Sequence, residues 1–265
     1  MSLMMLPLLI TSILLLITPR RCFVTASSDI AAITTLTKSM GGAISAAWVG
    51  TEVCEMLGIV CDPNTLRIID IVLRTDEGSD RNSKLHFAKG WVGLSSDSIC
   101  LLDQLTTLIV TDYWPSISGE IPPYIASLPR LQILDLSENG ITDEIPTGMG
   151  KLSQLVVLDL ADNQIRGSIP PSVVELSSMK LLDISNNRIS SEIPSEMGKM
   201  SILSLATMRG NHSSTVNIDT VTGPQPDTDL SRLHKHSTQE MLLQLFHGLR
   251  RGPPDRHGRK IAQAK

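Results

Sequence analysis

The sequence predicts an α/β solenoid, a coil of equal turns whose short strands lie side by side in one parallel sheet. Three observations predict it. The segments LQILDLSENGITDEIPTGM from Leu131, LVVLDLADNQIRGSIPPSV from Leu155 and MKLLDISNNRISSEIPSEM from Met179 repeat much of the same text every 24 residues. Aligned on Asn139, Asn163, Asn187 and Asn211, apolar residues fall into columns: Leu128, Leu152, Leu176 and Met200; Leu131, Leu155, Met179 and Leu203; Leu134, Leu158, Leu182 and Ala206. Of the 265 residues 42% are hydrophobic but only 3% aromatic, so the core must be built in layers from Leu, Ile, Val and Met. A net charge of −4 speaks against both a chain disordered throughout and the strongly basic balance of a nucleic-acid-binding domain.

In chain order, residues 1–26 are expected to be a signal peptide. The run MSLMMLPLLITSILLLIT has the length of a secretory apolar core, whereas a membrane span needs about 20 such residues. Val24, Thr25 and Ala26 offer a cleavage site before Ser27. An uncleaved anchor is the other reading, because no Lys or Arg precedes the run while Arg20 and Arg21 follow it; contact with a membrane is expected only in that case. Of the four cysteines, Cys22 would leave with the leader, Cys54 and Cys61 are close enough to clip a local loop, and Cys100 has no obvious mate. No metal site is expected, since no second pair and no nearby His completes a tetrahedral ligand set.

Residues 100–211 hold about five repeats. The first, LLDQLTTLIVTDYWPSISGEIPPYIAS, keeps Leu102, Leu105, Leu108 and Val110 but has Tyr113 and Trp114 where the Asn would fall. Within a repeat, Leu158 and Leu160 alternate with Asp159, the period of a strand with one buried face. Asn163 follows where the chain must turn, and its amide can bond the backbone groups that the turn strips of partners. Gly167 permits a conformation that a side chain hinders, and Ile169-Pro170 directs the chain along the outer face in extended form. After Asn211 the register is lost, and residues 212–265 read as an irregular or disordered tail, with one helix-like run, QEMLLQLFHGL, and a basic end.

The repeated text resembles the plant-type leucine-rich repeat, LxxLxxLxLxxNxLxGxIP, over Leu102 to Asn211. Residues 27–99, with Trp48, Cys54, Gly58, Cys61, Asp62, Arg67 and Leu73, resemble the amino-terminal cap of such proteins. The likeness is greatest to secreted plant proteins of the DNA-damage-repair/toleration type, related to the polygalacturonase inhibitors. It implies a right-handed solenoid with its parallel sheet on the concave face, a cap covering the amino-terminal end, and binding rather than catalysis. Two cap cysteines that bond each other in the family are absent here, Val53 standing beside Cys54, which leaves a Cys54–Cys61 disulfide. Asp143 and Ser191 replace the repeat Gly, and no carboxy-terminal cap follows, so Leu203, Leu205 and Met208 are expected to be poorly covered.

Residues between the inward Leu columns should line the concave face, where repeat proteins commonly bind. The candidate ligand-facing residues are Thr107, Ile109, Asp112, Trp114, Ile133, Asp135, Glu138, Val157, Asp159, Asp162, Leu181, Asp183, Thr207 and Arg209. Asp135, Asp159 and Asp183 form an acidic column that either attracts a basic partner or is a solvated face kept by the repeat. Ile133, Val157, Leu181 and Leu205 form an apolar column, read either as lateral packing or as a partner's hot spot. Trp114 is the best single anchor, or else a plug over the cap junction. No nucleophile–base pair or closed pocket supports catalysis, and no cofactor is expected. Asn211-His212-Ser213 is a formal glycosylation acceptor.

These features favour a secreted protein, extracellular or in the cell wall, that binds a protein or cell-wall ligand, with inhibition of an enzyme in defence or stress as one form. The alternatives are a nucleic-acid-associated stress protein using the basic tail, and a truncated fragment without function.

Overall fold

The computed structural model describes residues 28–40, 48–50, 52–73, 96–111, 118–190 and 192–212. The chain divides into two units, Met1–Gly223 and Pro224–Lys265, and every described residue belongs to the first. The leader, Asp112, Trp114 and the tail from residue 213 lie outside the described residues.

The cap begins with α1 (Ser28–Met40), which buries Ala32, Ile33 and Leu36. A 3₁₀ turn at Val53–Glu55 leads into β1 (Ile59–Cys61), antiparallel to β2 (Ile68–Leu73). A single helical turn, α2 (Ser96–Ile99), precedes β3 (Thr107–Val110). From there each turn of the coil gives one main strand: β5 (Ile133–Asp135), β7 (Val157–Asp159), β9 (Leu181–Asp183) and β11 (Leu205–Thr207). These join one seven-stranded sheet in the order β1-β2-β3-β5-β7-β9-β11, parallel from β2 onward. Short second strands, β4 (Ser118–Gly119) with β6 (Gly140–Ile141) and β8 (Arg166–Gly167) with β10 (Arg188–Ile189), pair in parallel after the turns.

The register fixes the columns. Ile71, Leu108, Leu134, Leu158, Leu182 and Ala206 are successive cross-strand partners, and all are at most 4% exposed. A parallel strand stacked at a constant 24-residue interval places like residues over like, so one apolar position per turn becomes a continuous core.

At the end of each strand an asparagine stitches two turns together. Asn163 Nδ2 donates to the carbonyls of Leu136 in the preceding repeat (2.8 Å) and of Leu160 and Ala161 in its own, while Oδ1 accepts from the Ile141 amide (3.0 Å). Asn187 repeats the pattern on Leu160, Ile184, Ser185 and the Ile165 amide. Asn139 reaches Val110 in the same way, but its Oδ1 is buried without a partner; the equivalent donor falls at residue 117, outside the described residues.

The Ile-Pro step differs from the extended path the sequence suggests. Each of Pro122, Pro146, Pro170 and Pro194 is itself extended but opens a 3₁₀ helix: Pro123–Ser127, Thr147–Lys151, Pro171–Glu175 and Ser195–Lys199. The proline carbonyl accepts the first 3₁₀ bond, as from Val173 to Pro170 (3.0 Å), so a ring that cannot donate to a ladder serves as a turn entry. Gly167 sits at φ 79°, and an added Cβ would come within 2.6 Å of the Glu144 side chain. One turn earlier Asp143 holds φ 64° in the same place, which Asp tolerates better than most residues.

Arg67 fastens the cap to the repeats. Its Nε and a terminal nitrogen donate to the two oxygens of Asp29 (2.9 and 2.8 Å), and that nitrogen also reaches Asp103 (2.6 Å). Asp29, 3% exposed, accepts in addition from the Ile68 amide. Trp48 is buried and donates its indole N–H to the Leu57 carbonyl (2.9 Å).

Cys54 and Cys61 form a disulfide with Cα atoms 5.6 Å apart. Cys100, for which the sequence offers no obvious mate, is disulfide-bonded as well: the fold decides which thiols meet, and sequence spacing reports only local neighbours. The expected bare carboxy-terminal layer is corrected, since Leu203, Leu205 and Met208 are 2, 8 and 0% exposed. Ala206 seats on Leu182 in register, and Asn211 closes the final turn.

Candidate functional site

The outward face of the sheet brings the expected residues together. Thr107, Ile133, Val157, Leu181 and Leu205 are consecutive cross-strand partners, and so are Ile109, Asp135, Asp159, Asp183 and Thr207. Both rows therefore run across the strands as continuous columns, about 4.8 Å from strand to strand.

Their exposure differs from that of an open, solvated face. Ile133, Val157, Leu181 and Leu205 are between 0 and 8% exposed, and Asp135, Asp159 and Asp183 are 2, 5 and 6% exposed. The carboxylates are held by their own bonds: each Asp turns back onto its strand. Asp135 Oδ1 accepts from the Ser137 amide (3.2 Å) and hydroxyl (2.7 Å), Asp159 Oδ1 from the Ala161 amide (3.1 Å), and Asp183 Oδ1 from the Ser185 amide (2.9 Å) and hydroxyl (2.6 Å). The Asp of the repeated LDLS text thus braces the bend where the strand ends.

Burial has an electrostatic cost. Loss of hydration pushes the Asp159 carboxyl well above the ordinary carboxylate range, Asp135 and Asp183 on either side push it further, and only the Ala161 amide bond opposes them. Asp183 is raised by burial too, with the Ser185 hydroxyl and amide pulling back and the charges of Asp162 and Asp135 adding to the rise.

Chemical groups reach solvent along the two margins of the face. On the side where the strands begin stand Thr106, Gln132, Val156, Lys180 and Ser204, half-buried or exposed. Where the strands end stand Glu138, Asp162, Asn186 and Arg209, of which Asp162 is half-buried and the rest exposed. Glu138, Asp162 and Asn186 all hold φ between 52 and 56°, with Gly210 at 71° in the same column. Asn186 Nδ2 donates to Asp162 Oδ1 (2.9 Å), linking adjacent turns. This margin is acidic at Glu138 and Asp162 and basic at Arg209. The sequence pattern does not single out Lys180 and Asn186, because a two-residue period marks facing and not depth.

Asn211, the formal glycosylation acceptor of the sequence, is a buried side chain in the fold. Its side chain is the last rung of the asparagine ladder: Nδ2 donates to the carbonyls of Ile184 (3.0 Å) and Met208 (2.9 Å), and Oδ1 accepts from the Ile189 amide (3.0 Å). Among the described residues no cluster of His, Cys, Asp and Glu is arranged to hold a metal ion, and no helix is long and apolar enough to cross a membrane.

Comparison with known proteins agrees with this geometry. Residues 130–152, 154–176 and 178–200 match the Leucine Rich Repeat family. The chain is 44% identical over 93 residues to the DNA damage-repair/toleration protein DRT100 of Arabidopsis thaliana, a match covering 34% of this chain and 24% of that protein. It therefore spans about a quarter of that relative's length. Among solved structures, the BIR2 ectodomain of Arabidopsis thaliana is similar over 70% of this chain and 93% of its own, at 26% identity and a TM-score of 0.57. A chain of the BIR3–SERK2 complex from the same plant is similar over 69% and 93%, at 28% identity and a TM-score of 0.57.

Proposed function

We propose that this chain, a leucine-rich-repeat solenoid of the plant type, is an extracellular binding module that engages a protein partner across the outward face of its sheet. The observation that carries the reading is the uninterrupted parallel run from β2 to β11, whose margins present one polar or charged side chain per turn on a rigid frame. Glu138, Asp162, Lys180, Asn186 and Arg209 make the polar contacts, and the buried apolar and acidic columns hold them at fixed intervals. The likeness to plant receptor ectodomains supports an extracellular setting, and a relative solved in a complex supports a protein partner. Secretion would follow from the apolar leader. A cell-wall polymer, or a wall-degrading enzyme that the face inhibits, falls within the same reading. Thr107, Ile109, Ile133, Asp135, Val157, Asp159, Leu181, Asp183 and Thr207 then act as the frame of the site, and Cys54–Cys61 holds the cap.

The test compares partner recovery from extracellular extract by the wild type, by a margin variant (Glu138→Asn, Asp162→Asn, Lys180→Gln, Arg209→Gln) and by a convex variant (Glu175→Gln, Lys199→Gln). Asn is used at the first two positions because it tolerates their positive φ. The margin variant should lose at least about tenfold in recovery at low salt, the scale of one or two disrupted polar contacts, while the convex variant recovers partner as the wild type does. Equal recovery by all three, with unfolding midpoints unchanged, would remove the face from the account.

A further inference from the structure

The amide of Asn211 has two uses that cannot coexist. In the fold it is the last rung: both Nδ2 hydrogens are donated, to Ile184 and Met208 (3.0 and 2.9 Å), Oδ1 holds the Ile189 amide, and the residue is 8% exposed. The His212 amide donates to the Ile189 carbonyl (3.1 Å), so the backbone beside it is held as well. In the sequence, Asn211-His212-Ser213 is an N-glycosylation tripeptide, and none of the other three ladder asparagines opens one.

We propose that glycan and rung exclude each other: Asn211 accepts an oligosaccharide only while the last repeat is unfolded, and the folded protein carries none there. Transfer from a polyprenyl-diphosphate oligosaccharide forms a bond between sugar C1 and Nδ2 and breaks the C1–oxygen bond to the diphosphate. The diphosphate leaves with the electron pair, and one Nδ2 hydrogen departs as a proton. The single N–H that remains can serve one of the two carbonyls, which strands the other in a buried site. A sugar attached at Nδ2 would also have to fit at a side chain that is only 8% exposed. Whichever event comes first therefore decides the state of the last turn. Folding first gives a complete array; modification first gives an array that ends at β9, with the Ile189 amide unmatched. The proposal takes its cellular setting from the extracellular reading above, but its chemistry does not depend on export.

The experiment offers the full chain, native or urea-denatured and then diluted, to a purified oligosaccharyltransferase with its lipid-linked donor. Intact mass and hydrogen exchange at Ile189 are then measured on the products. The denatured chain should be glycosylated and the native chain refused, by at least tenfold in rate. The glycosylated product should show Ile189 exchange accelerated at least tenfold over the unmodified fold. A Ser213→Ala chain, which keeps the rung and loses the acceptor, should accept no glycan and protect Ile189 as the native wild type does. Three results overturn the proposal: native chain modified as fast as denatured, neither form modified, or a glycosylated chain whose Ile189 amide is protected as in Ser213→Ala. None of them bears on whether the sheet's outward face binds a partner, which the recovery experiment reads separately.

Discussion

Asp159 stands in the middle of three carboxylates in register, and burial with the charges on either side raises its carboxyl. A carboxyl raised in the folded state binds its proton more tightly there than in the unfolded chain. The contribution of these two acids to stability is therefore fully present below the ordinary carboxylate range and is lost as pH rises through the raised value of Asp159, with Asp183 adding to the same fall. Asp159→Asn keeps an oxygen for the Ala161 amide and removes the charge. It should raise the melting temperature at pH 7, about 2–4 °C for each kcal/mol of relief in a domain of this size, and make stability less dependent on pH above the ordinary carboxylate range. An unchanged pH profile, read by thermal unfolding at several pH values, would contradict this account of the column. Asn187 makes the opposite case, a buried polar group fully used. Asn187→Ala deletes its bonds to Leu160, Ile184, Ser185 and Ile165 and should cost about 2–4 kcal/mol, one or two stranded buried groups. A lowered urea midpoint with an unchanged slope is the expected measurement.

Among the elements, the cap and the repeats are coupled through one side chain. Arg67 on the approach to β2 is bound by Asp29 of α1 and by Asp103 before β3, so three segments far apart in sequence share one guanidinium. Arg67→Ala leaves Asp29 buried with, among the described residues, the Ile68 amide as its remaining donor, and should destabilise the protein by about 3–5 kcal/mol. Arg67→Lys should recover only part of that, because an ammonium cannot make the bidentate contact; full recovery, seen in denaturant titration, would mean that charge alone matters. Each strand and the turn after it were legible in the sequence, since Leu alternation and Asn each answer a local demand. The 3₁₀ helices were not, because their proline entry looks extended until the amide that donates to its carbonyl is seen. The positive φ of Glu138 was equally hidden: Asp, Asn and Gly at the equivalent places one, two and three turns later signal a left-handed turn, and Glu does not.

For the molecule as a whole, a column of identical positions means that one defect is felt by both neighbours. Leu158 lies between Leu134 and Leu182 and is fully buried. Leu158→Ala should cost about 2–5 kcal/mol and lower a single cooperative transition, because each turn is stable only against the next. Two separated transitions in calorimetry would show that the cap end and the far end fold independently. By itself the sequence determined the period, the inward columns, the ladder asparagines and which residues share the outward face of the sheet, because each follows from repetition at a constant interval along the chain. Only the tertiary structure decided depth and pairing: that the acidic and apolar columns are buried while the margins are open, that Cys100 is bonded, that Arg67 joins three segments, and that Asn211 is spent inside. Those depend on what neighbouring turns and distant segments place around a side chain, and a linear pattern of polar and apolar residues does not carry that information.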